Sequence, residues 1–97
     1  MNDSVVFQGR ITIENSGEMR EALGKALRAR PAQLSVNLAG VTYIDTSGLA
    51  TLLEAERIAR TQGTRMSLEG VRDQPRYLLE VSHLDRLFEM AVQEAGT

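Results

Sequence analysis

The hydrophobic positions of the chain follow two different periods, which predict strands and helices in alternation. Leu34–Leu38 alternates between apolar and polar residues with a period of two, the strongest strand pattern in the sequence. The segment before it predicts an amphipathic helix, because its apolar residues recur three and four positions apart. These positions are Met19, Ala22, Leu23, Ala26 and Leu27. We expect Asn15 to cap this helix, with Glu18 completing a capping box, and the step before Pro31 to end it.

Shorter β-branched and aromatic runs predict the other strands. Val5–Phe7 and Ile11–Ile13 predict one strand with an interruption or bulge between them. Ala39–Gly40 predicts a turn, so that Val41–Ile44 is expected as a second short extended piece. Period-two alternation returns in Met66–Glu69, which predicts a further strand.

Two more helices follow from the pattern. One is predicted from about Leu49 to Gln62 and is ended by Gly63, since a glycine commonly follows the last helical residue. The other begins at Asp73–Pro75, because proline is accepted in the first helical turn. The pattern leaves open whether Phe88–Val92 forms helix or a closing strand.

Strands joined by helices are typical of βαβ crossovers. We therefore predict a single α/β domain over residues 1–97, with a small, mixed but largely parallel sheet and helices packed against it. In such a sheet the carboxyl ends of the strands gather at one edge, where helix N-termini converge. Asp45–Gly48 falls between a strand and a helix at this edge, so it is the first place to look for function.

The composition narrows the classes of function. Eleven Lys and Arg against thirteen Asp and Glu give a net charge of −2 and argue against nucleic-acid binding. The absence of cysteine excludes thiolate metal sites and a thiol nucleophile, and the single histidine, His83, provides little for a metal or catalytic centre. No apolar run approaches the roughly 18 residues of a membrane span. We expect a cytoplasmic, non-enzymatic protein that needs no cofactor, does not insert into membranes and binds other proteins.

The tetrapeptide Asp45–Gly48 allows two interpretations. A helix start exposes unpaired N–H groups and the positive end of the helix dipole, so a phosphorylated hydroxyl is stabilised there. Phosphorylation would add about −1.5 to −2 charges at one point, and a partner packed on a neutral hydroxyl would then have to desolvate a dianion. The alternative is that Ser or Thr only caps the helix, which contributes about 1 kcal/mol.

The wider stretch Leu38–Leu53 closely resembles the signature of the STAS domain, the family of anti-sigma factor antagonists and of the cytoplasmic tails of sulfate transporters. The resemblance implies that an anti-sigma factor with kinase activity binds the unmodified protein and phosphorylates Ser47, after which it no longer binds. It also implies a set of partner-binding residues at the strand-to-helix turn. These are Asp45, Thr46, Ser47, Gly48 and Leu49.

The chain departs from the antagonist pattern in its first strand. The family's Gly-Glu-Leu-Asp stretch appears here as Gly9–Thr12, so Thr12 stands where the family has an aspartate associated with the switch. The N-terminus is also short, and we expect the family's first edge strand to be missing or truncated. An unprotected sheet edge would favour a homodimer formed by strand pairing.

A second branch of the family fits almost as well. Asp45–Leu53 also resembles the STAS subunit of the lipid-asymmetry phospholipid transporter, a small domain that supports the ATPase subunit of an ABC complex. In that branch the important threonine corresponds to Thr46. This resemblance implies docking on the ATPase without phosphorylation.

Overall fold

The computed structural model describes residues 1–91 and contains four strands and three helices in regular alternation. The strands are β1 Asn2–Ile11, β2 Gln33–Ile44, β3 Arg65–Glu69 and β4 Glu89–Ala91, and the helices are α1 Ser16–Arg28, α2 Thr46–Gln62 and α3 Asp73–Val81. The strand order is β1-β2-β3-β4, and all three pairings are parallel. The predicted α/β class with a largely parallel sheet is confirmed.

Strand β2 is one continuous strand of 12 residues, so the predicted turn at Ala39–Gly40 is wrong. Pairing with β1 runs from Asn2 opposite Gln33 to Ile11 opposite Ile44, with two register shifts on the way. The ten residues of β1 therefore span the same length as twelve of β2. Ala39–Gly40 lies at the first of these irregularities, so the local signal for a turn reflects a bulge within the strand.

Strand β1 ends at Ile11, two residues earlier than predicted. Ile13 lies in the turn before α1 and is 74% exposed. Asn15 precedes the helix but its side chain makes no capping hydrogen bond. Its amide instead accepts from Thr12 N at 2.8 Å and donates to Arg10 O at 2.8 Å. The expected capping box is therefore wrong, because Asn15 is used to hold the turn together.

The other boundaries agree more closely with the sequence. Gly63 follows α2 in the left-handed conformation, at φ 83°, as predicted. Helix α1 ends at Arg28, just before the Arg30–Pro31 step, and α3 begins at Asp73. The open question at Phe88–Val92 is answered by strand β4, while Val92 itself lies outside the described residues.

One face of the sheet carries the core. Leu34, Val36 and Leu38 of β2 point to this face and are almost completely buried, and α1 and α2 pack against each other and against the sheet. The alternate residues of β2, such as Ser35 and Asn37, are only half-buried. Helix α3 packs mainly against β2, whose carboxyl-terminal half extends beyond its pairing with β3. The carboxyl end of β2 is thereby fixed from several sides, and the candidate site begins there.

Candidate functional site

Asp45 joins the end of β2 to the start of α2 and acts as the N-cap of that helix. Its Oδ1 accepts hydrogen bonds from Ser47 N at 2.9 Å and Gly48 N at 3.2 Å. Its Oδ2 accepts from Ile13 N at 3.0 Å, and its own N–H donates to Ile11 O at 3.0 Å. One side chain therefore ties the first turn of α2 to the turn that follows β1.

The cap explains why α2 begins at Thr46 and not near Leu49 as the apolar pattern predicts. A carboxylate that accepts two N–H groups of the first turn satisfies donors that the helix itself cannot pair. It also shows that the interpretation of a serine or threonine as the cap is wrong for this turn. Thr46 and Ser47 are the first two residues of the helix, so neither of them precedes it as a cap would.

Ser47 is half-buried and its hydroxyl is fixed in direction. Ser47 Oγ donates to Asp45 Oδ1 at 2.6 Å, a length typical of a hydroxyl that donates to a carboxylate. This bond is the main reason that the pKa of the Asp45 carboxyl lies below its ordinary value. Backbone N–H groups, including that of Gly48, lower the pKa further, while desolvation opposes them. At neutral pH the site therefore holds a carboxylate that accepts from a serine hydroxyl.

The five residues predicted to bind a partner divide into two groups. Thr46 is exposed, and Asp45 and Ser47 are half-buried, so these three reach the surface. Gly48 and Leu49 are buried in the chain described here. A Cβ built on Gly48 would lie 2.6 Å from Ile44 Cγ1, so only glycine lets α2 start this close to β2. A contact of Gly48 or Leu49 with a partner stays a prediction; within the chain both support the turn.

Gln74 is a site residue that the sequence analysis missed. From the first turn of α3 its Oε1 accepts from Ile44 N at 2.8 Å, and its Nε2 donates to Ile44 O at 3.0 Å. The side-chain amide thus pairs with the backbone of Ile44 in the way a neighbouring strand would, one residue before Asp45. The two residues are 30 positions apart, so no local pattern could have connected them.

The position of Ile13 was predicted incorrectly, because the sequence pattern placed it in a strand. Its N–H is bound by Asp45, yet its side chain is 74% exposed, which is unusual for an isoleucine. Thr12, the residue before it, accepts a hydrogen bond from Glu14 N at 3.3 Å through its Oγ1. The backbone of an exposed apolar residue is therefore bound to the same carboxylate that caps α2.

Residues 1–91 provide neither a cluster of metal ligands nor a membrane-spanning helix. In that part of the chain no three or more His, Cys, Asp or Glu side chains are grouped so that they could hold a metal ion. None of the helices described there has both the length and the apolar character needed to cross a membrane.

A family model described as "Mlab, STAS domain" matches residues 2–91 of the chain. The chain belongs to the STAS domain family. This confirms the resemblance to the STAS domain, which is carried by Leu38–Leu53 and continues over nearly the whole chain, from Gly9 to about Phe88.

Several solved structures share the fold at low sequence identity. An anti-sigma factor antagonist from Mycobacterium paratuberculosis is 19% identical, with a TM-score of 0.78 over 95% of this chain and 78% of the other. The Bacillus cell fate determinant SpoIIAA in its phosphorylated form is 17% identical, with a TM-score of 0.70 over 95% and 84%. The STAS domain of the SulP transporter from Vibrio cholerae is 17% identical, with a TM-score of 0.71 over 97% and 76%. These similarities show the same fold in both antagonists and transporter domains.

Proposed function

We propose that this STAS domain is a non-enzymatic regulatory module of the cytoplasm that binds an anti-sigma factor with kinase activity, and that phosphorylation of Ser47 ends the binding. The partner would contact the surface formed by Ile13, Thr46 and Ser47, which we call the docking surface. The observation that carries the proposal is the Ser47 hydroxyl, held by Asp45 at 2.6 Å at the carboxyl edge of the sheet.

The docking surface is suited to a protein partner. Ile13, whose N–H is bound by Asp45, offers an exposed apolar side chain, and Thr46, the residue after Asp45, offers an uncharged hydroxyl. Burying such groups releases water from apolar area without desolvating a charge. The carboxylate of Asp45 accepts three hydrogen bonds from Ser47 and Gly48 and one from Ile13, so it presents less unsatisfied charge to a partner than a bare carboxylate.

Phosphorylation would reverse these conditions. Transfer of the γ-phosphoryl group of ATP to Ser47 Oγ replaces the O–H bond with an O–P bond, and ADP and the proton leave. The hydrogen bond from Ser47 Oγ to Asp45 Oδ1 is then lost, and about two negative charges stand beside a carboxylate. The new phosphate competes with Asp45 for the N–H groups of the first turn of α2. A partner that fits the unmodified surface would meet charge repulsion and a large desolvation cost.

The first experiment measures phosphorylation directly. Incubation with the cognate anti-sigma kinase and ATP is expected to add one phosphate to the wild type, detected as a mass increase of the intact protein. Ser47→Ala is expected to remove the modification, whereas Thr46→Ala, the neighbouring hydroxyl, keeps it. Modification of the Ser47→Ala variant at the wild-type rate would contradict the assignment.

A second experiment separates charge from shape at the same position. Ser47→Asp and Ser47→Asn place side chains of nearly equal size at the docking surface, and only one of them is charged. We expect Ser47→Asp to weaken binding of the anti-sigma factor by at least about tenfold, with Ser47→Asn much closer to the wild type. Equal binding by the two variants would disprove the charge switch.

A different observation favours a second candidate function, support of the ATPase subunit of a phospholipid ABC transporter. Thr46 is the more exposed of the two hydroxyl residues, while the Ser47 hydroxyl is already donated to Asp45. In this case Thr46→Val, which keeps the shape and removes the hydroxyl, is expected to reduce capture of the ATPase. Ser47→Ala would have the smaller effect, and no phosphorylation would be needed.

A further inference from the structure

Strand β1 forms one edge of the sheet, and half of its backbone groups point away from β2. Ala32 N donates to Met1 O at 2.7 Å, so the carbonyl of residue 1 faces β2. Because successive backbone groups of a strand point to opposite sides, Asn2, Ser4 and Val6 present their N–H and C=O groups outward. The outward N–H of Ser4 is accepted by the side chain of its neighbour Asp3 at 2.9 Å, which agrees with this direction.

The side chains of β1 do little to protect that edge. Asn2–Gly9 contains no lysine and no proline, the residues that commonly block strand addition. Val6 is 59% exposed on the face of the sheet away from the core. Val5 pairs with the buried Val36 and is itself only half-buried, as is Phe7. A hollow of about 270 Å³ opens beside Phe7, between β1 and the start of α1.

We propose that a second copy of this chain adds its β1 antiparallel to this edge, with the two-fold axis passing through Val6. The two sheets would then join into one continuous sheet of eight strands. Val6 would lie opposite Val6 of the other copy, Ser4 opposite Gln8, and Val5 opposite Phe7. The outward backbone groups of Ser4 and Val6 would form ladder hydrogen bonds, and Val5 of one copy would lie beside Phe7 at the hollow of the other.

The charge of Asp3 selects this register among the neighbouring ones. An axis at Val5 would place Asp3 directly opposite Phe7, and an axis at Ser4 would bring the two Asp3 carboxylates within about two residues of each other. With the axis at Val6, Asp3 lies opposite Gly9 of the other copy, and the two Asp3 residues are about six residues apart along the strands, roughly 20 Å. No charge then faces an apolar side chain, and the two like charges are separated.

The arrangement leaves the docking surface accessible. Because the two β1 strands run in opposite directions, the carboxyl edges of the two sheets face opposite ends of the dimer. Each copy would therefore keep Ile13, Thr46 and Ser47 available, so dimer formation and partner binding can be tested independently. The hydrogen bond from Ser4 N to Asp3 Oδ1 must open for pairing, so we expect a dimer that forms at high protein concentration.

Cysteine cross-linking tests both the edge and the register. The chain has no cysteine of its own. Directly opposed Cα atoms in a hydrogen-bonded antiparallel pair are about 5.5 Å apart, within the range that a disulfide spans. Under mild oxidation Val6→Cys is expected to form a disulfide-linked dimer. Gln8→Cys, on the same strand but roughly 13 Å from its symmetry mate in this register, is expected to form no disulfide-linked dimer. A failure of Val6→Cys to cross-link, or equal cross-linking of both variants, would overturn the proposal.

A proline substitution tests the backbone contact. Because the N–H of Val6 points away from β2, Val6→Pro removes no hydrogen bond within the chain but removes one on each side of the two-fold axis. Sedimentation equilibrium is expected to show self-association of the wild type, weakened by more than about tenfold in Val6→Pro. Asp3→Ala, which releases the Ser4 N–H, is expected to strengthen it. A wild type that stays monomeric at all concentrations, or a Val6→Pro variant that associates equally well, would contradict the proposal.

Discussion

The Ser47 hydroxyl lies 2.6 Å from Asp45 Oδ1, the same oxygen that accepts the N–H groups of Ser47 and Gly48. A single carboxylate oxygen thus caps α2 and orients the hydroxyl that we propose to be modified. Any change to the hydroxyl is therefore transmitted to the cap. The other oxygen, Oδ2, holds Ile13 N, which connects the same event to the exposed apolar residue of the docking surface.

Removal of the Ser47 hydroxyl should be detectable at Asp45. Because the hydroxyl is the largest cause of the lowered pKa of Asp45, Ser47→Ala is expected to raise that pKa toward its ordinary value. Carbon NMR titration of the side-chain carboxyl measures this shift directly. Thr46→Ala is the matched control and should leave the titration of Asp45 unchanged. An unchanged pKa in Ser47→Ala would mean that the hydrogen bond is absent in solution.

The lowered pKa of Asp45 also predicts how stability depends on pH. A carboxyl whose pKa is lower in the folded than in the unfolded state adds stability above its unfolded pKa, here close to 3.8, and loses it as the pH falls through the folded value. Glu89 has a lowered pKa as well, because it is paired with Arg65 at 2.7 Å. We expect the free energy of unfolding to fall below about pH 5, and to fall less steeply in Asp45→Asn. Equally steep loss in both proteins, measured by urea unfolding, would contradict this role of Asp45.

The sequence predicted the elements of this site better than their junctions. The strand and helix around Asp45–Gly48, and the end of α2 at Gly63, follow from periodicity and from glycine. These signals do not predict the cap, the turn at Ile13 or the continuity of β2, because each of these features depends on groups far apart in the sequence. Asp45 contacts a turn 32 residues away. The conformation of Ala39–Gly40 is decided by the buried neighbours of β2 and not by its own turn propensity.

Gly48 is expected to tolerate no side chain, although it lies in a helix where alanine is usually the better residue. An added Cβ would approach Ile44 Cγ1 to 2.6 Å and Ile11 Cγ2 to 2.9 Å, and both side chains are buried. We expect Gly48→Ala to lower the free energy of unfolding by about 1–3 kcal/mol, since an overpacked core must shift. Gly17 in α1 is the control, because nothing lies within 4 Å of its added Cβ. Gly17→Ala should be neutral or stabilise by up to about 1 kcal/mol, and a similar loss in both variants would rule out the steric explanation.

Gln74 is expected to contribute through both of its amide atoms. Gln74→Glu keeps an acceptor for Ile44 N but at neutral pH has no donor for Ile44 O. We expect a loss of about 1–3 kcal/mol in the free energy of unfolding at neutral pH. The difference from the wild type should shrink in acid, where the protonated carboxyl can donate again. A difference that does not change with pH would show that Gln74 acts through packing alone.

Ile13 provides a test of the docking surface that does not depend on which partner is the correct one. Its side chain is 74% exposed, so Ile13→Ser should change the stability of the chain by no more than about 0.5 kcal/mol. If Ile13 is buried by a partner, the same change should weaken binding of the anti-sigma factor or of the transporter ATPase by about tenfold or more. Tyr77 on α3 is 64% exposed and lies outside the docking surface, so Tyr77→Ser is the matched control. Equal binding by the two variants in calorimetry would place the contact elsewhere on the domain, because loss of an exposed apolar group weakens binding only where that group becomes buried.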